Sequence, residues 1–144
     1  MAMRAFGWLV VAVLATALPS VHAPTALAAG GIRLELNKLE PNEGYCRAYF
    51  LFANTSERRY DDVKFDIAIF DKQGIVLKRL AISAGTLRTD KRILKLFDID
   101  GLACADIGEV LVNDMLSCES GGEPVPDCID LVSVTSRAEA KVVK

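Results

Sequence analysis

The sequence predicts an all-β protein, and two observations carry that prediction. Apolar and polar residues alternate with a period of two nearly everywhere after residue 31, which is the pattern of half-buried strands. No long segment has the 3.6-residue period of an amphipathic helix, and turn residues recur about every ten residues. These features indicate a single antiparallel β-sandwich of about seven strands. An immunoglobulin-like (Ig-like) arrangement is expected, and a small barrel is the alternative.

Individual strands follow from this alternation. Ile32, Leu34 and Leu36 alternate with polar residues in the first strand. Between the third and fourth strands, Asp71-Lys-Gln-Gly74 has the composition of a hairpin turn. The predicted strands are residues 32–36, 46–52, 63–69, 75–82, 91–99, 110–116 and 129–134. Residues 135–144 are polar enough that we expect them to fray.

Residues 1–28 have the composition of a cleavable export signal. Arg4 provides a positive start, and the apolar run that follows, Phe6 to Leu18, is too short for a relaxed membrane span. Ala26-Leu27-Ala28 is a small-x-small cleavage site, so the expected mature protein is a β-sandwich domain of residues 29–144 without a membrane span. Its expected location is periplasmic or secreted, where disulfides form.

Removal of the signal would also remove the only histidine of the chain, His22. A protein without histidine lacks the commonest general base and the commonest transition-metal ligand, so Ser-His-Asp and Cys-His catalysis are excluded. The formal net charge of the chain is −2, and its Lys and Arg residues are scattered. We therefore expect no nucleic-acid partner, because such a partner needs a basic stripe.

Two sets of motifs resemble those of exported bacterial proteins. Phe52-Ala-Asn54, and Val63-Lys-Phe-Asp-Ile-Ala-Ile-Phe-Asp71 with Gly74, resemble a theme of exported Ig-like domains, in which one strand ends in an Asn turn and the next in aromatic-Asp-x-x-Gly. The second set resembles a group of uncharacterised small exported proteobacterial proteins with an Ig-like β-sandwich domain, and consists of Leu34–Glu40, Cys46–Tyr49, Lys95–Asp98 with Gly101–Cys104, and Leu111–Asp114. This resemblance spans most of residues 32–136. It implies the fold and export, and it implies no activity or site residues.

Several polar motifs could carry chemistry, and for each we favour a structural role. Asp98 to Glu109 matches a calcium-binding loop at its first, third and twelfth positions, but Ala103 stands where the required glycine should be. Asn113-Asp114 interrupts an apolar strand, and Asp114 could be a buried acid. We favour a structural role for the pair, in which one side chain faces solvent and the other bonds to a neighbouring loop. Asn54-Thr55-Ser56 is formally a glycosylation sequon, and a turn is favoured. We predict no catalytic residue, no cofactor and no metal ligand.

The face opposite the core carries four candidates for a contact patch, which are Tyr45, Tyr49, Leu51 and Phe70. If no second layer covers that face, these side chains form an exposed apolar patch. If the second sheet lies on that side, they belong to the core, which is the interpretation that we favour.

The function expected from these features is non-enzymatic binding of a protein or envelope partner. A free edge strand of the sandwich could pair with such a partner through its backbone. Two alternatives stay open. One is a hydrolase that uses only carboxylates, for which Asp98, Asp100, Asp106 and Asp114 are the available pool. The other is a small enzyme inhibitor that presents the loop of residues 119–127.

The four cysteines are expected to form the disulfides Cys46–Cys104 and Cys118–Cys128. If successive strands alternate in direction, the second strand begins with Cys46 at the end of the domain to which the fifth strand brings Cys104. The sixth strand then carries Cys118 to the opposite end, where Cys128 begins the seventh. A bridge needs Cα atoms within about 7 Å, whereas a strand of six residues spans about 20 Å, so pairing across the ends is disfavoured.

The export signal leads to a first prediction. Protein recovered from the periplasm should begin at Ala29 or within about two residues of it, because Ala26-Leu27-Ala28 is the best cleavage site. Intact-mass measurement of the exported protein checks this. A full-length mass in that compartment would contradict it.

Overall fold

The computed structural model describes residues 30–144, in which two β-sheets pack face to face. The predicted signal, residues 1–28, lies outside the described residues. The strands are β1 (Ile32–Asn42), β2 (Tyr45–Asn54), β3 (Asp62–Asp71), β4 (Val76–Ser83), β5 (Arg92–Asp100), β6 (Ile107–Ser120), β7 (Glu123–Pro124), β8 (Val132–Ser136) and β9 (Lys141–Val143). Short 3₁₀ turns, Cys104–Asp106 and Cys128–Leu131, precede β6 and β8. Between residues 30 and 144, no helix is long and apolar enough to cross a membrane.

Neighbouring strands are not all antiparallel, so the prediction of a wholly antiparallel sandwich is wrong. The first sheet has the order β5-β2-β1-β8, and β8 runs parallel to β1. The second sheet has the order β4-β3-β6-β7, and β9 runs parallel to β6. Within each sheet, the long strands have the directions of a chain that alternates up and down. β1 and β8 run in the same direction and lie side by side, so they form a parallel pair.

The core lies between the inner faces of the two sheets. In β2 every second residue is buried, beginning with Cys46, and in β3 the same holds from Val63 to Ile69. The rings of Phe52 on β2 and Phe65 on β3 stack across the two sheets, with their centroids 5.7 Å apart. This contact joins the sheets into one hydrophobic core.

The strand β6 is longer than the predicted residues 110–116. The prediction is too short because the pairing of β6 is irregular. Its register against β3 shifts at three places, which leaves Gly108, Asn113 and Leu116 as extra residues on β6. Each extra residue breaks the period-two pattern. A strand predicted from alternation therefore ends too early, although the backbone pairing continues.

The C-terminal residues are ordered into a strand, so the prediction that they fray is wrong. β9 pairs with β6, and Ala140 directly before it is buried. The Lys144 Nζ donates to the carbonyl oxygens of Ile129 at 3.0 Å and Val132 at 2.8 Å. These bonds tie the end of the chain to the segment that enters β8.

Two disulfides close opposite ends of the structure. Cys46 at the start of β2 is bonded to Cys104, with a Cα–Cα separation of 5.0 Å. Cys118 near the end of β6 is bonded to Cys128, with a separation of 6.4 Å. These are the pairs that the alternating strand directions predict, because each pair lies at one end of the sheets.

Removal of the Cys46–Cys104 bond should destabilise the protein more than removal of the Cys118–Cys128 bond. The bonded cysteines are 58 residues apart in the first case and 10 in the second. A cross-link over a longer segment removes more entropy from the unfolded chain, and the expected difference is about 1–2 kcal/mol. Urea unfolding of Cys46→Ala/Cys104→Ala and Cys118→Ala/Cys128→Ala measures it. Equal free energies of unfolding in the two double variants would contradict the prediction.

Candidate functional site

The outer face of the first sheet carries a group of apolar side chains. On β2, Phe50 and Phe52 point to the core, whereas Tyr49 and Leu51 point outward and are half-buried. Their direct partners on the edge strand β5 are Leu96 for Tyr49 and Leu94 for Leu51. Two adjacent cross-strand pairs therefore form a continuous surface. We name these four residues, Tyr49, Leu51, Leu94 and Leu96, the leucine patch.

The two leucines of β5 in the leucine patch are exposed, although leucine is usually a buried residue. The exposed fraction is 51% for Leu94 and 47% for Leu96. A single exposed leucine on a protein surface is ordinary, but adjacent exposed apolar residues mark candidate contact surfaces. Tyr49 extends the patch with a residue type that is enriched in interfaces.

An ion pair closes one end of the leucine patch. Arg47 donates through Nε and Nη2 to the two carboxylate oxygens of Asp98, at 2.7 and 2.9 Å. These hydrogen bonds hold the pKa of Asp98 below its ordinary value. The Tyr49 hydroxyl donates to Glu40 at 3.1 Å, and Lys38 pairs with the same carboxylate. The polar groups at this end are thus bonded to one another.

Three arginines surround a cleft of about 390 Å³ at the other end of the leucine patch. Arg33 of β1 and Arg92 of β5 flank Ala53 of β2 in one cross-strand row. Arg137, which follows β8, donates through Nε to Glu35 at 3.0 Å. We name this site the arginine cleft. It places positive charge directly beside the apolar surface.

The structure also locates the four candidates for a contact patch. Tyr45, Tyr49 and Leu51 lie on the outer face of the first sheet, so the prediction that they belong to the core is wrong. The physical reason is that β2 turns its even-numbered residues toward the second sheet. Phe70 lies on β3 in the second sheet, where it is half-buried, and it takes no part in the leucine patch.

The edge strands β4 and β5 each carry a lysine on their inward side. Lys95 of β5 is paired with the buried Phe50, and Lys78 of β4 is paired with the buried Ile69. A charge on the inner side of an edge strand discourages a further strand from adding there. The Lys78 Nζ also donates to the carbonyl oxygen of Asp100 at 2.7 Å. These two edges therefore argue against the backbone-pairing mechanism that the sequence suggested.

Within residues 30–144, the acidic side chain that is buried is Asp66, which sequence analysis did not single out. Asp66 lies on β3 at the outer face of the second sheet and is 4% exposed. Arg79 of β4 donates to both of its carboxylate oxygens at 2.7 and 2.6 Å, and Asn113 of β6 donates to one of them at 2.6 Å. The bonds from Arg79 and then Asn113 lower the pKa of Asp66. This cluster joins three strands, and no local sequence signal brings its members together.

The acids that could form a hydrolytic pair are spread over two sheets. Asp98 is bonded to Arg47 on the first sheet, and Asp100 is the last residue of β5. Asp106 ends a 3₁₀ turn. Asp114 is exposed on β6 of the second sheet, so it is not a buried acid. The structure therefore does not bring the four acids into one cleft.

The residues of the calcium-loop motif have structural positions. The motif from Asp98 to Glu109 begins in β5 and ends in β6, with only a 3₁₀ turn between the two strands. Its first carboxylate is committed to Arg47. Across residues 30–144, no three His, Cys, Asp or Glu side chains are grouped so that they could hold a metal ion.

Asn54 of the sequon is buried and shapes a turn. Its Nδ2 donates to the carbonyl oxygens of Arg58 at 2.6 Å and Leu87 at 3.1 Å. Its Oδ1 accepts hydrogen bonds from the backbone N–H and the hydroxyl of Ser56, at 3.0 and 2.8 Å. An amide engaged through both its nitrogen and its oxygen holds the loop that follows β2.

The loop of residues 119–127 forms an exposed hairpin. Gly121 and Gly122 have φ values of 65° and 79°, a conformation that glycine adopts without strain. The backbone N–H of Gly121 donates to the Asp61 carboxylate at 2.7 Å. The Cys118–Cys128 disulfide closes the base of the hairpin. The loop is thus presented on a fixed support.

These features define a two-sheet β-protein with two disulfides and an apolar patch on one outer face. No protein-family model and no curated protein matches the sequence. Among solved structures, the chain is similar to IrmA from Escherichia coli, with a TM-score of 0.58 and 11% sequence identity. The similarity covers 73% of this chain and 91% of that chain. At this identity it shows the fold alone.

The substitution Asp66→Asn should lower the free energy of unfolding near neutral pH, and its effect should shrink on acidification. Because the pKa of Asp66 is lowered in the folded protein, its carboxylate stabilises the fold fully above the unfolded-state pKa of about 3.9. This contribution is lost as the pH falls through the lower folded-state pKa. Urea unfolding at about pH 6 and at about pH 3 gives the free energy of unfolding of the variant and of the original protein. The difference between the two proteins should be smaller at the lower pH.

Asp114→Asn is the matched control for this measurement. Asp114 is an exposed acid on the same sheet, and its carboxylate accepts a hydrogen bond from the N–H of Met115. The control should shift the urea midpoint less than Asp66→Asn does. Equal shifts in the two variants at both pH values would contradict the role assigned to Asp66.

Proposed function

We propose that this protein is a non-enzymatic binding domain that contacts a protein or envelope partner through the leucine patch. The observation that carries the proposal is the pairing of exposed Leu94 and Leu96 with Leu51 and Tyr49 on one outer sheet face. An ion pair borders this surface at one end and the arginine cleft borders it at the other. An apolar centre with a polar rim is the usual anatomy of a protein interface.

The outer face of the second sheet supports the proposal less well. Its middle is occupied by Asp66, Arg79 and Asn113, whose polar atoms are bonded to one another. Its exposed apolar residues lie away from this middle, since Val76 and Leu77 are adjacent at the start of β4, and Leu116 lies apart from them in an irregularity of β6. The first sheet therefore offers the more continuous contact surface.

The proposal includes an Ig-like sandwich in the periplasm or outside the cell. Two packed sheets whose long strands alternate in direction support the Ig-like class. Two disulfides support an oxidising compartment, because such bonds persist in exported proteins and are rare in the cytosol. The signal-like composition of residues 1–28 supports export.

A second candidate function is enzyme inhibition through the hairpin of residues 119–127. The Cys118–Cys128 disulfide at its base favours this role, because a tethered loop loses little conformational freedom when it binds. Glu123 and Pro124 are exposed on this hairpin. Substitutions at these two residues distinguish the hairpin from the leucine patch as the contact site.

The double substitution Leu94→Asp/Leu96→Asp should abolish partner capture. Affinity capture from an envelope extract, followed by identification of the retained proteins, compares the variant with the original protein. We expect a loss of about tenfold or more, because burial of one leucine side chain contributes about 1.5–3 kcal/mol. Both leucines lie on an outer face, so their replacement leaves the core intact.

The matched control is Leu77→Asp/Leu116→Asp, which places two acids on the second sheet. Leu116 is 54% exposed, close to the exposure of Leu94. Capture should survive in this control. Loss in the control alone, or equal loss in both double variants, would contradict the assignment to the leucine patch. Loss only after Glu123→Ala/Pro124→Ala would instead support the hairpin.

A further inference from the structure

The residues of the outer face are arranged in cross-strand rows that run from the arginine cleft into the leucine patch. From β1 through β2 to β5, the successive rows are Arg33–Ala53–Arg92, Glu35–Leu51–Leu94 and Lys38–Tyr49–Leu96. On β2 and β5, successive rows are two residues apart, which corresponds to about 6.6 Å along a strand. The first row is cationic, and the β2 and β5 residues of the next two are apolar.

The first row combines two arginines with a small residue between them. The Ala53 side chain ends at Cβ, and it lines the floor of the cleft between the two arginines with 7% of its surface exposed. Among residues 30–144, none of the ion pairs involves Arg33 or Arg92. Their guanidinium groups line the cleft of about 390 Å³ without a carboxylate bonded to them.

One acid of the cleft, Glu35, is already engaged in hydrogen bonds. Asn37 donates to its carboxylate through Nδ2 at 2.8 Å, and Arg137 donates through Nε at 3.0 Å. The Asn37 hydrogen bond and then the positive charge of Arg137 hold the pKa of Glu35 below its ordinary value. Asp90 is the other carboxylate of the lining, so three guanidinium groups face two carboxylates. The cleft has a surplus of positive charge.

Resting on the proposed function, we propose that the Arg33–Ala53–Arg92 row receives a carboxylate from an extended acidic segment of the protein partner. Guanidinium groups bind carboxylates with two parallel hydrogen bonds, which provides both affinity and orientation. An extended segment presents side chains on one side at every second residue, with the spacing of the rows. An acidic residue above Ala53 therefore brings the residues two and four positions along over Leu94 and Leu96.

The recognised pattern is thus acidic-x-apolar-x-apolar in an extended conformation. The leucine patch lies on the outer face of the first sheet, and an extended peptide can lie along such an open face. An acyl chain is usually bound in an enclosed, mostly apolar cavity, and the outer face of a sheet provides no such enclosure. Charge complementarity at the first row and the apolar surface at the next two favour a peptide segment.

A pair of labelled peptides tests this inference on the purified protein with both disulfides formed. The probe is a fluorescein-labelled Ser-Glu-Ser-Leu-Ser-Leu-Ser with a blocked C-terminus, and its counterpart has Gln in place of Glu. Fluorescence anisotropy should show about tenfold tighter binding of the Glu peptide, a preference that shrinks as NaCl is added. Arg33→Gln/Arg92→Gln should bind both peptides equally. Arg88→Gln, which changes an exposed arginine outside the cleft, should retain the preference.

Three results would overturn the inference. They are equal affinity of the original protein for the two peptides, no binding of either at millimolar concentration, and a preference that survives in Arg33→Gln/Arg92→Gln. Phosphatidylglycerol vesicles provide a further arm. If the vesicles bind in an arginine-dependent way and the Glu peptide is not preferred, the cleft recognises a lipid headgroup and the peptide inference is wrong.

The same arginine variant separates this inference from the proposed function. If capture from the envelope extract needs Leu94 and Leu96 but not Arg33 and Arg92, the binding face stands and the acidic-segment inference falls. If neither pair of substitutions affects capture, both fail.

Discussion

The rest of the structure depends on the register of β2. This strand lies between β5 and β1, and its alternate residues serve two different surfaces. Phe50 and Phe52 complete the core, while Tyr49 and Leu51 begin the leucine patch. A slip of one residue would exchange the two faces, exposing the phenylalanines and burying Arg47. The register is held at one end by the Cys46 disulfide and by the turn at Gly44, whose φ of 82° suits glycine.

Much of the strand content could be predicted because period-two alternation is a local property. The strands from Ile32 and Val63 and the turn at Asp71 are visible in short windows of sequence. The Asp71 carboxylate accepts hydrogen bonds from the backbone N–H groups of Gln73 and Ile75, as its place in the turn suggests. What alternation does not contain is the identity of sheet neighbours. The parallel β1–β8 pair and the short β9 are therefore absent from a sequence-based prediction.

The candidate site was harder to predict for the same reason. Alternation identifies two faces of β2 but not which one the second sheet covers. The row Arg33–Ala53–Arg92 draws on three strands, and each of these residues is ordinary in its own segment. The buried carboxylate of Asp66 likewise accepts its hydrogen bonds from Arg79 and Asn113, which are distant in sequence. Pairs of residues at long range, rather than motifs, create both the cleft and the buried carboxylate.

The two disulfides also set how far the chain can be stretched. A segment whose ends are bonded cannot lengthen when force is applied outside it. The 58-residue separation of Cys46 and Cys104 corresponds to about 200 Å of extended chain, and the 10-residue separation of Cys118 and Cys128 to about 35 Å. Oxidised and reduced forms would therefore differ in end-to-end length under tension by more than the diameter of the folded protein. Under the same force, the oxidised chain is the shorter of the two forms.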